Sequence, residues 1–286
     1  MARNYLEHSI TVGEKVSRLR PESSKSQYSL ALGYFSAAHQ SIGDTQFAPA
    51  EKFARLSLRE FEAVASKTQS DSAQYNIALV TRLLAALKTK MGDGREALRY
   101  GRQALAIDLN RAKSGKINPE ILLDLSFDHN ELGDAFAVSK DFVRSLESYK
   151  RSQRVLEDLL QKDPHSVRFK GRLADLYGQQ GRLLLGLGRL TQAGVFLRQS
   201  YSLRRELADI SKDISSRALL AESSGDLGIW QCRSGNSREG RELLSAALTK
   251  LQETEAATLL LMEGKDTNSR LQGQASVCGL NPSAAR

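Results

Sequence analysis

Six cationic or amide side chains in the middle and later parts of the chain could bind the acidic or peptide groups of a partner. They are Arg82, Lys90, Asn130, Gln179, Arg182 and Arg233. An arginine guanidinium donates two parallel hydrogen bonds to a carboxylate or phospho-group, and an amide side chain both donates and accepts. These residue types favour an acidic or carboxylate-bearing segment as ligand. The alternative, a solvated polar face that binds nothing tightly, stays open.

No set of residues in the sequence is arranged for catalysis. The kinase motifs Val-Ala-Ile-Lys, His-Arg-Asp and Asp-Phe-Gly are absent, as are Gly-x-Ser-x-Gly and His-Glu-x-x-His. The four histidines are scattered, and neither Cys232 nor Cys278 has a Cys or His at metal-ligand spacing. We therefore predict no enzyme activity, no catalytic residue, no cofactor and no metal site. Cys232 is expected to be a buried, small apolar residue.

Charge and apolarity restrict the possible partners and location. The net charge is +8, but Lys and Arg are interleaved with Asp and Glu, so nucleic-acid binding is not predicted. The longest apolar run, Ala256–Met262, is too short to cross a membrane, and the first twenty residues contain no signal-peptide core. Two cysteines in the whole chain are typical of the cytoplasm. An extracytoplasmic domain of a membrane-anchored parent remains the alternative.

The elements that must position the candidate residues follow from an internal repeat of 47 or 48 residues. One series of small residues has this spacing: Ser9, Ser57, Ala104, Ser152, Ser200 and Ala247. A second series lies seven positions upstream: Ala2, Ala50, Ala97, Ser145, Ala193 and Gly240. With few prolines and many strong helix formers, each repeat is expected to be a pair of helices, A and B. Both series then lie on helix B, and all six residues of the first series are predicted to be buried at helix–helix contacts, where a larger side chain would overpack.

Two repeats resemble the tetratricopeptide repeat. The residues that carry the resemblance are Leu132, Gly133, Phe136, Ser145, Tyr149 and Ser152 in one, and Gly92, Asp93, Ala97 and Ala104 in the other. The resemblance covers residues 1 to about 252 and implies an all-α fold, a right-handed superhelical solenoid of antiparallel helix pairs. It also places the six candidate residues on the concave face. The unit here is longer than the family's, which lengthens the helices.

The long unit is also similar to tetratricopeptide arrays attached to bacterial serine/threonine kinases. That similarity rests on one repeat, through Ser126, His129, Asn130, Leu132, Gly133 and Asp134, and through Leu159, Asp163 and Pro164. It implies a protein-interaction scaffold or sensor module in bacterial signalling, which binds a peptide or partner domain. The alternative is the repeat region of a kinase whose catalytic domain lies outside this chain. A third hypothesis is a dimer that forms through exposed end helices.

The register divides the chain into three parts. Residues 1–22 are expected to form an orphan helix B of a truncated or capping repeat, and residues 23–262 to form five long repeats in one solenoid domain. The helices A are predicted near 26–42, 73–91, 119–139, 167–187 and 215–234. The helices B are predicted near 47–67, 94–112, 141–161, 190–211 and 237–262. Residues 263–286 are expected to be a loose tail, of which 271–280 could fold back.

Overall fold

The computed structural model describes residues 2–68, 70–114, 118–257 and 262–280, and over these ranges it is all-α, without a strand. The helices are α1 Ala2–Leu19, α2 Ser24–Gly43, α3 Phe47–Thr68, α4 Asp71–Lys90, α5 Gly94–Ser114, α6 Pro119–Val138, α7 Phe142–Lys162, α8 Val167–Gly186, α9 Leu190–Ser211, α10 Ile214–Arg233, α11 Ser237–Ala257 and α12 Met262–Gly273. A 3₁₀ turn, Ala275–Cys278, follows. The five predicted pairs therefore correspond to α2–α3, α4–α5, α6–α7, α8–α9 and α10–α11, and residues 258–261 of the last predicted helix B lie outside the described residues.

The chain divides into two compact units, Met1–Val155 and Leu156–Arg286, with the boundary inside α7. In the first unit α1 packs on α2, and the hairpins α2–α3 and α4–α5 pack on each other. In the second unit the hairpins are α8–α9 and α10–α11, and α12 packs on α10 and α11. The grouping of residues 23–262 into one solenoid domain stays a prediction.

Every helix A begins at a capping side chain that recurs with the repeat. These caps are Ser23, Ser70, Asn118, Ser166 and Asp213, and each accepts a hydrogen bond from the backbone N–H three residues later. Such a cap satisfies one of the donors that the first turn of a helix leaves without a partner. The recurrence fixes where each hairpin starts.

A residue in the left-handed region closes each turn from helix A to helix B. It is a glycine in three hairpins, at Gly92, Gly188 and Gly235. In the other two it is Thr45, with φ 55°, and Lys140, with φ 60°. In the first hairpin α2 continues through Gly43, and the left-handed residue Thr45 comes two positions later.

Small residues on helix B lie where two helices touch. Ser57, Ala104, Ser152, Ser200 and Ala247 are all buried, as predicted. The prediction is wrong for Ser9, which is exposed, because no helix in the described part of the chain covers that side of α1. The upstream series is likewise buried from Ala50 to Gly240, while the side chain of Ala2 lies outside the described residues.

The buried serines of this series donate to the opposite helix in the same way. Ser57, Ser152 and Ser200 each donate a 2.8 Å hydrogen bond to the carbonyl oxygen 26 residues earlier, on helix A of the same hairpin. A carbonyl already bonded within its helix has a second lone pair, so the hydroxyl is satisfied at no cost to the helix. Alanine and serine can therefore alternate at this position.

Close approach of the helices is also visible at two glycines. A Cβ at Gly133 would lie 2.4 Å from the ring of Tyr149, and one at Gly228 would lie 2.8 Å from the carbonyl oxygen of Gly240. Neither contact leaves room for a methyl group. The ring of Trp230 on α10 lies against Gly194 of α9, and its Nε1 donates to the Leu190 carbonyl oxygen at 2.8 Å.

The C-terminal part differs from the loose tail suggested by the sequence. Residues 262–273 form α12, and Leu271, Ala275 and Cys278 are buried, which agrees with the fold-back alternative for residues 271–280. Residues 281–286 lie outside the described residues. The expectation that the cysteines are unpaired is wrong, because Cys232 and Cys278 form a disulfide with 46 residues of sequence separation. In the chain-entropy account, a bridge of that span stabilises the folded state by roughly 4 kcal/mol.

Candidate functional site

Arg82, the first of the predicted binding residues, does not lie on an open face. It projects from α4 between α5 and α6, and its side chain is only 10% exposed. Its Nε donates to Asp128 Oδ1 at 2.7 Å and its Nη2 donates to Asp108 Oδ2 at 2.7 Å. Asp124 lies 3.6 Å from Nη1. The guanidinium is thus already engaged by three carboxylates of the protein itself.

Arg111 completes this group, which we name the Arg82 cluster: Arg82, Arg111, Asp108, Asp124 and Asp128. The Nη1 of Arg111 donates to Asp108 at 2.6 Å and to Asp124 at 3.1 Å. The cluster therefore holds three buried carboxyl groups and two guanidinium groups. Exposed Asp71 also accepts from Arg111 Nε at 3.2 Å, but it remains largely in solvent.

The excess of carboxyl groups has an electrostatic consequence. Burial, together with the charge of Asp108, raises the pKa of Asp128 to about 8, although Arg82 acts in the opposite direction. Burial also raises the pKa of Asp124. An unpaired buried carboxylate is more costly than a neutral carboxyl group, so the cluster retains a proton near neutral pH.

Lys90 and Asn130 lie on α4 and α6 of the same unit. Lys90 is exposed, and Asn130 is half-buried. The amide oxygen of Asn130 is shielded from solvent and has no hydrogen-bond donor within the described residues. Next to it, burial and the nearby Asp134 raise the pKa of Glu131 to about 8.

The second unit has its own ionic group, which we name the Asp226 cluster: Glu222, Asp226, Arg182 and Arg270. Arg182 of α8 donates to Asp226 at 2.8 Å and to Glu222 at 3.3 Å, both on α10. Arg270 of α12 donates to Glu222 at 3.1 Å and also bonds Asp226. Two cations meet two carboxylates here, and both guanidinium groups are about one-third exposed. Arg182 is thus a predicted residue that already has internal partners.

Gln179 and Arg233 complete the set of predicted residues. Gln179 of α8 is half-buried, and its amide oxygen is shielded from solvent without a donor in the described part of the chain. Arg233 of α10 is exposed, but its Nη1 donates to the Leu185 carbonyl oxygen at 3.1 Å and its Nη2 to Gln274 Oε1 at 2.7 Å. The six residues thus fall into two groups of three, one in each compact unit.

Sequence reasoning missed the carboxylates that bind the arginines. The signal was present as opposite charges slightly less than one repeat apart: Arg82 and Asp128 are 46 residues apart, and Arg182 and Asp226 are 44 apart. Residues at that separation occupy neighbouring positions on consecutive helices A. The same reasoning identifies Arg270, 44 residues after Asp226.

Comparison with known proteins gives a fold and no closer relationship. No family model matches the chain, and no curated protein matches it. Among solved structures, BtubC (BKLC) from P. vanneervenii is similar at 18% identity, over 88% of this chain and 91% of that one, with a TM-score of 0.62. The apo form of RapI is similar at 13% identity, over 98% and 70% of the two chains, with a TM-score of 0.56.

A putative kinesin light chain from Podosopora anserina with TPR-like repeats is similar at 18% identity, over 83% of this chain and 98% of that one, with a TM-score of 0.50. Together with the helix pairs, these likenesses confirm the predicted tetratricopeptide-type, all-α solenoid fold. None of the described helices combines the length and apolarity needed to span a bilayer. In the same residues no three His, Cys, Asp or Glu side chains are grouped so as to hold a metal ion.

Proposed function

We propose that this protein is a non-catalytic scaffold or sensor module in bacterial signalling, and that it binds a peptide or partner domain on the concave face of its helices A. The observation that carries the proposal is an amide oxygen in each unit that is shielded and lacks a donor within the described residues: Asn130 Oδ1 on α6 and Gln179 Oε1 on α8. The fold is consistent with it, since solenoids of helix pairs present extended binding surfaces.

Unsatisfied acceptors point to a ligand that supplies donors. A buried acceptor without a hydrogen bond costs roughly 1–3 kcal/mol, so a fold that keeps one without use is at a disadvantage. An extended peptide carries one N–H per residue and would satisfy such acceptors. Each unit, taken by itself, holds an acceptor of this kind: Asn130 in the first and Gln179 in the second.

The charge of the partner needs a different argument from the one the sequence suggested. Arg82 and Arg182 are neutralised by the protein's own carboxylates, and Arg233 bonds the protein's own acceptors. We therefore attribute recognition chiefly to the amides, through the partner's backbone. Exposed Lys90 is the residue that we propose to contact an acidic side chain of the partner.

A library of random peptides tests this proposal. The Asn130→Ala, Gln179→Ala double variant should retain selected peptides at least tenfold more weakly than the wild type, which corresponds to about 1.4 kcal/mol. Asn110→Ala with Gln199→Ala is the matched control, because it changes the same residue types at exposed positions on α5 and α9. Removal of an unsatisfied amide should leave thermal stability unchanged or raised, so unfolding cannot explain the loss. Equal retention by the double variant and the wild type would refute the proposal.

The kinase association remains the second candidate, favoured by the Ser126, His129 and Asn130 pattern on α6. We propose that such a catalytic domain, if the gene encodes one, lies outside this sequence, because phosphoryl transfer needs phosphate-cradling and metal-holding groups. Reading the gene beyond both ends of this sequence decides between the candidates. ATP turnover by this chain that survives repurification would contradict its non-catalytic role.

Self-association is a separate proposal, carried by the exposed face of α1. Val12, Val16 and Leu19 are exposed and follow one another at intervals of one helical turn. A Leu19→Glu variant should dissociate a dimer that forms through this end, as measured by light scattering across a dilution series. We propose no nucleic-acid partner, because the basic side chains are dispersed among acidic ones.

The compartment is also a proposal, and the cysteines alter it. Their low number favours the cytoplasm, but buried, paired cysteines are typical of an oxidising compartment. We therefore propose the extracytoplasmic alternative. Thiol alkylation in cell extracts prepared under acid quench measures the paired fraction of Cys232 and Cys278 and tests it.

A further inference from the structure

Residues 262–280, here called the C-terminal cap, are held on α10 by three kinds of contact. Leu271 is fully buried and lies against Gly225, where an added Cβ would come within 2.5 Å of its Cδ1. Arg270 pairs with Glu222 and Asp226. Cys278 is bonded covalently to Cys232. The cap thus combines an apolar, an ionic and a covalent anchor on a single helix.

The surface beneath the cap has a defined chemistry. Gly225 leaves a depression that receives one leucine, and Ala247 of α11 contributes a second small residue beside it, its methyl group 3.4 Å from where a Cβ at Gly225 would lie. Two carboxylates, Glu222 and Asp226, lie on the adjoining part of α10. A helix that presents a leucine next to an arginine, as α12 does at positions 270 and 271, fits this surface.

We propose that this surface of α10 and α11 is a docking site for an amphipathic helix of a partner protein, and that the Cys232–Cys278 disulfide controls access to it. While the disulfide is intact, the cap occupies the site as an internal copy of the partner helix. The inference rests in part on the proposed function, because Gln274 of the cap accepts a hydrogen bond from Arg233, one of the predicted partner-binding residues.

The controlling step is a thiol–disulfide exchange with a dithiol reductant. The reductant loses two electrons and two protons and becomes a disulfide, while the Cys232–Cys278 bond breaks to give two thiols. Both cysteines are buried, so exchange requires the 3₁₀ turn to open first. Once reduced, the cap depends on α12, which at 12 residues is near the lower limit for a helix that is stable by itself.

Hydrogen exchange of the full chain tests whether the disulfide controls access to the docking site. Residues 262–280 should exchange on the order of 10²–10³-fold faster after reduction with dithiothreitol, since the bridge restricts the open state. Unit Met1–Val155 contains no cysteine and serves as the internal control. If the cap is equally protected from hydrogen exchange in the oxidised and reduced protein, the disulfide does not control access to the docking site.

A peptide with the sequence of residues 262–280 and Cys278→Ser tests the docking surface. It should bind the full chain that carries Cys232→Ser, Cys278→Ser and Leu271→Asp, whose own cap is displaced, and should not bind the oxidised wild type. A peptide that also carries Leu271→Asp is the matched control and should not bind. Absence of binding to the uncapped chain, or equal binding to the oxidised wild type, would overturn the docking surface.

The two proposals can fail separately. Asn130→Ala with Gln179→Ala should leave binding of the cap peptide unchanged, because neither residue touches the surface beneath the cap. Loss of random-peptide retention in that variant, with cap-peptide binding intact, supports both proposals. If cap-peptide binding fails while the amide variants behave as expected, only the docking surface is refuted.

Discussion

The Arg82 and Asp226 clusters use the same pairing of arginine and aspartate about one repeat apart, but in different surroundings. In the first, three carboxyl groups and two guanidinium groups are enclosed by α4, α5 and α6. In the second, charges are equal in number, the arginines are about one-third exposed, and one of them comes from the C-terminal cap. The same pair is enclosed by helices in one unit and partly exposed to solvent in the other.

The difference shows that the type and repeat position of a residue do not decide whether it can bind a partner. Arg82 and Arg182 were both predicted to contact an acidic ligand. Arg82 is unavailable because desolvated carboxylates surround it, whereas Arg182 shares its carboxylates with an arginine from a separate segment. Availability is therefore decided by neighbours that come from other helices.

Replacement of the central arginine should separate the two clusters most clearly. Arg82→Met leaves three buried carboxyl groups with Arg111 alone and should lower the free energy of unfolding by about 3–5 kcal/mol. Arg182→Met should lower it by no more than about 1 kcal/mol, because the pair is partly solvated and Arg270 remains. Urea titration followed by circular dichroism measures both. Equal losses of unfolding free energy in the two variants would show that the two clusters do not differ in their contribution to stability.

The Arg82 cluster should also make the first unit sensitive to pH. The pKa of Asp128 is about 8 in the folded protein and about 4 in the unfolded chain, so the folded state binds the proton more tightly. That contribution is complete below about pH 4 and is lost as the pH rises towards 8. The free energy of unfolding should fall over this window by at most ~1.4 kcal/mol per pH unit.

Asp128→Asn is the matching variant, since it keeps the shape and removes the titration. It should flatten the pH dependence of hydrogen exchange in Met1–Val155, and a smaller slope should remain because the pKa of Glu131 is raised as well. A slope unchanged from the wild type would show that Asp128 does not hold the proton.

Overpacking at helix B should destabilise both units by similar amounts, because the units share the same close helix contact. Ala104→Leu in α5 and Ala193→Leu in α9 should each destabilise by roughly 1–3 kcal/mol, because both methyl groups are fully buried between helices. Ala106→Leu is the control on the exposed side of α5. Thermal melts that match the wild type would mean that the assigned helix contacts are wrong.

The smallest expected effect concerns the turns. Lys140 closes its hairpin with φ 60°, a conformation that costs a residue with a Cβ about 1–2 kcal/mol. Lys140→Gly should therefore stabilise the first unit by up to about 1 kcal/mol after the flexibility of glycine in the unfolded chain is included. Gly188→Lys should destabilise the second unit, because it places a residue with a Cβ at φ 72°. Differential scanning calorimetry of the two variants checks the pair.

The sequence was sufficient to predict the helix pairs because their contacts depend on volume. A small residue every 47 or 48 positions reports a close helix contact whatever its partner is, and Ala104, Ser152 and Ser200 are buried as predicted. The ends of the helices follow from local rules, so α2 and α7 lie within two residues of their predicted bounds.

The site could not be predicted in the same way, because it depends on which charges meet. An arginine at the position of Arg82 suits an open polar face as well as a buried ion cluster, and the carboxyl groups of Asp108, Asp124 and Asp128 decide between them. The pairing of Cys232 with Cys278 likewise depends on the return of α12 to α10, which no local pattern encodes. The predicted burial of Ser9 is wrong for a related reason, since burial of this side chain requires a neighbouring helix.

The disulfide also determines how the chain would respond to a pulling force. Tension applied at the C-terminal end reaches Cys278 and passes directly through the sulfur bridge to Cys232, so α11 and the cap between them bear none of it. About 160 Å of extended chain, 46 residues at roughly 3.5 Å each, therefore stays out of the stretched length until the bridge is reduced. The force therefore bypasses α11 and the cap, and unravelling from this end begins inside α10.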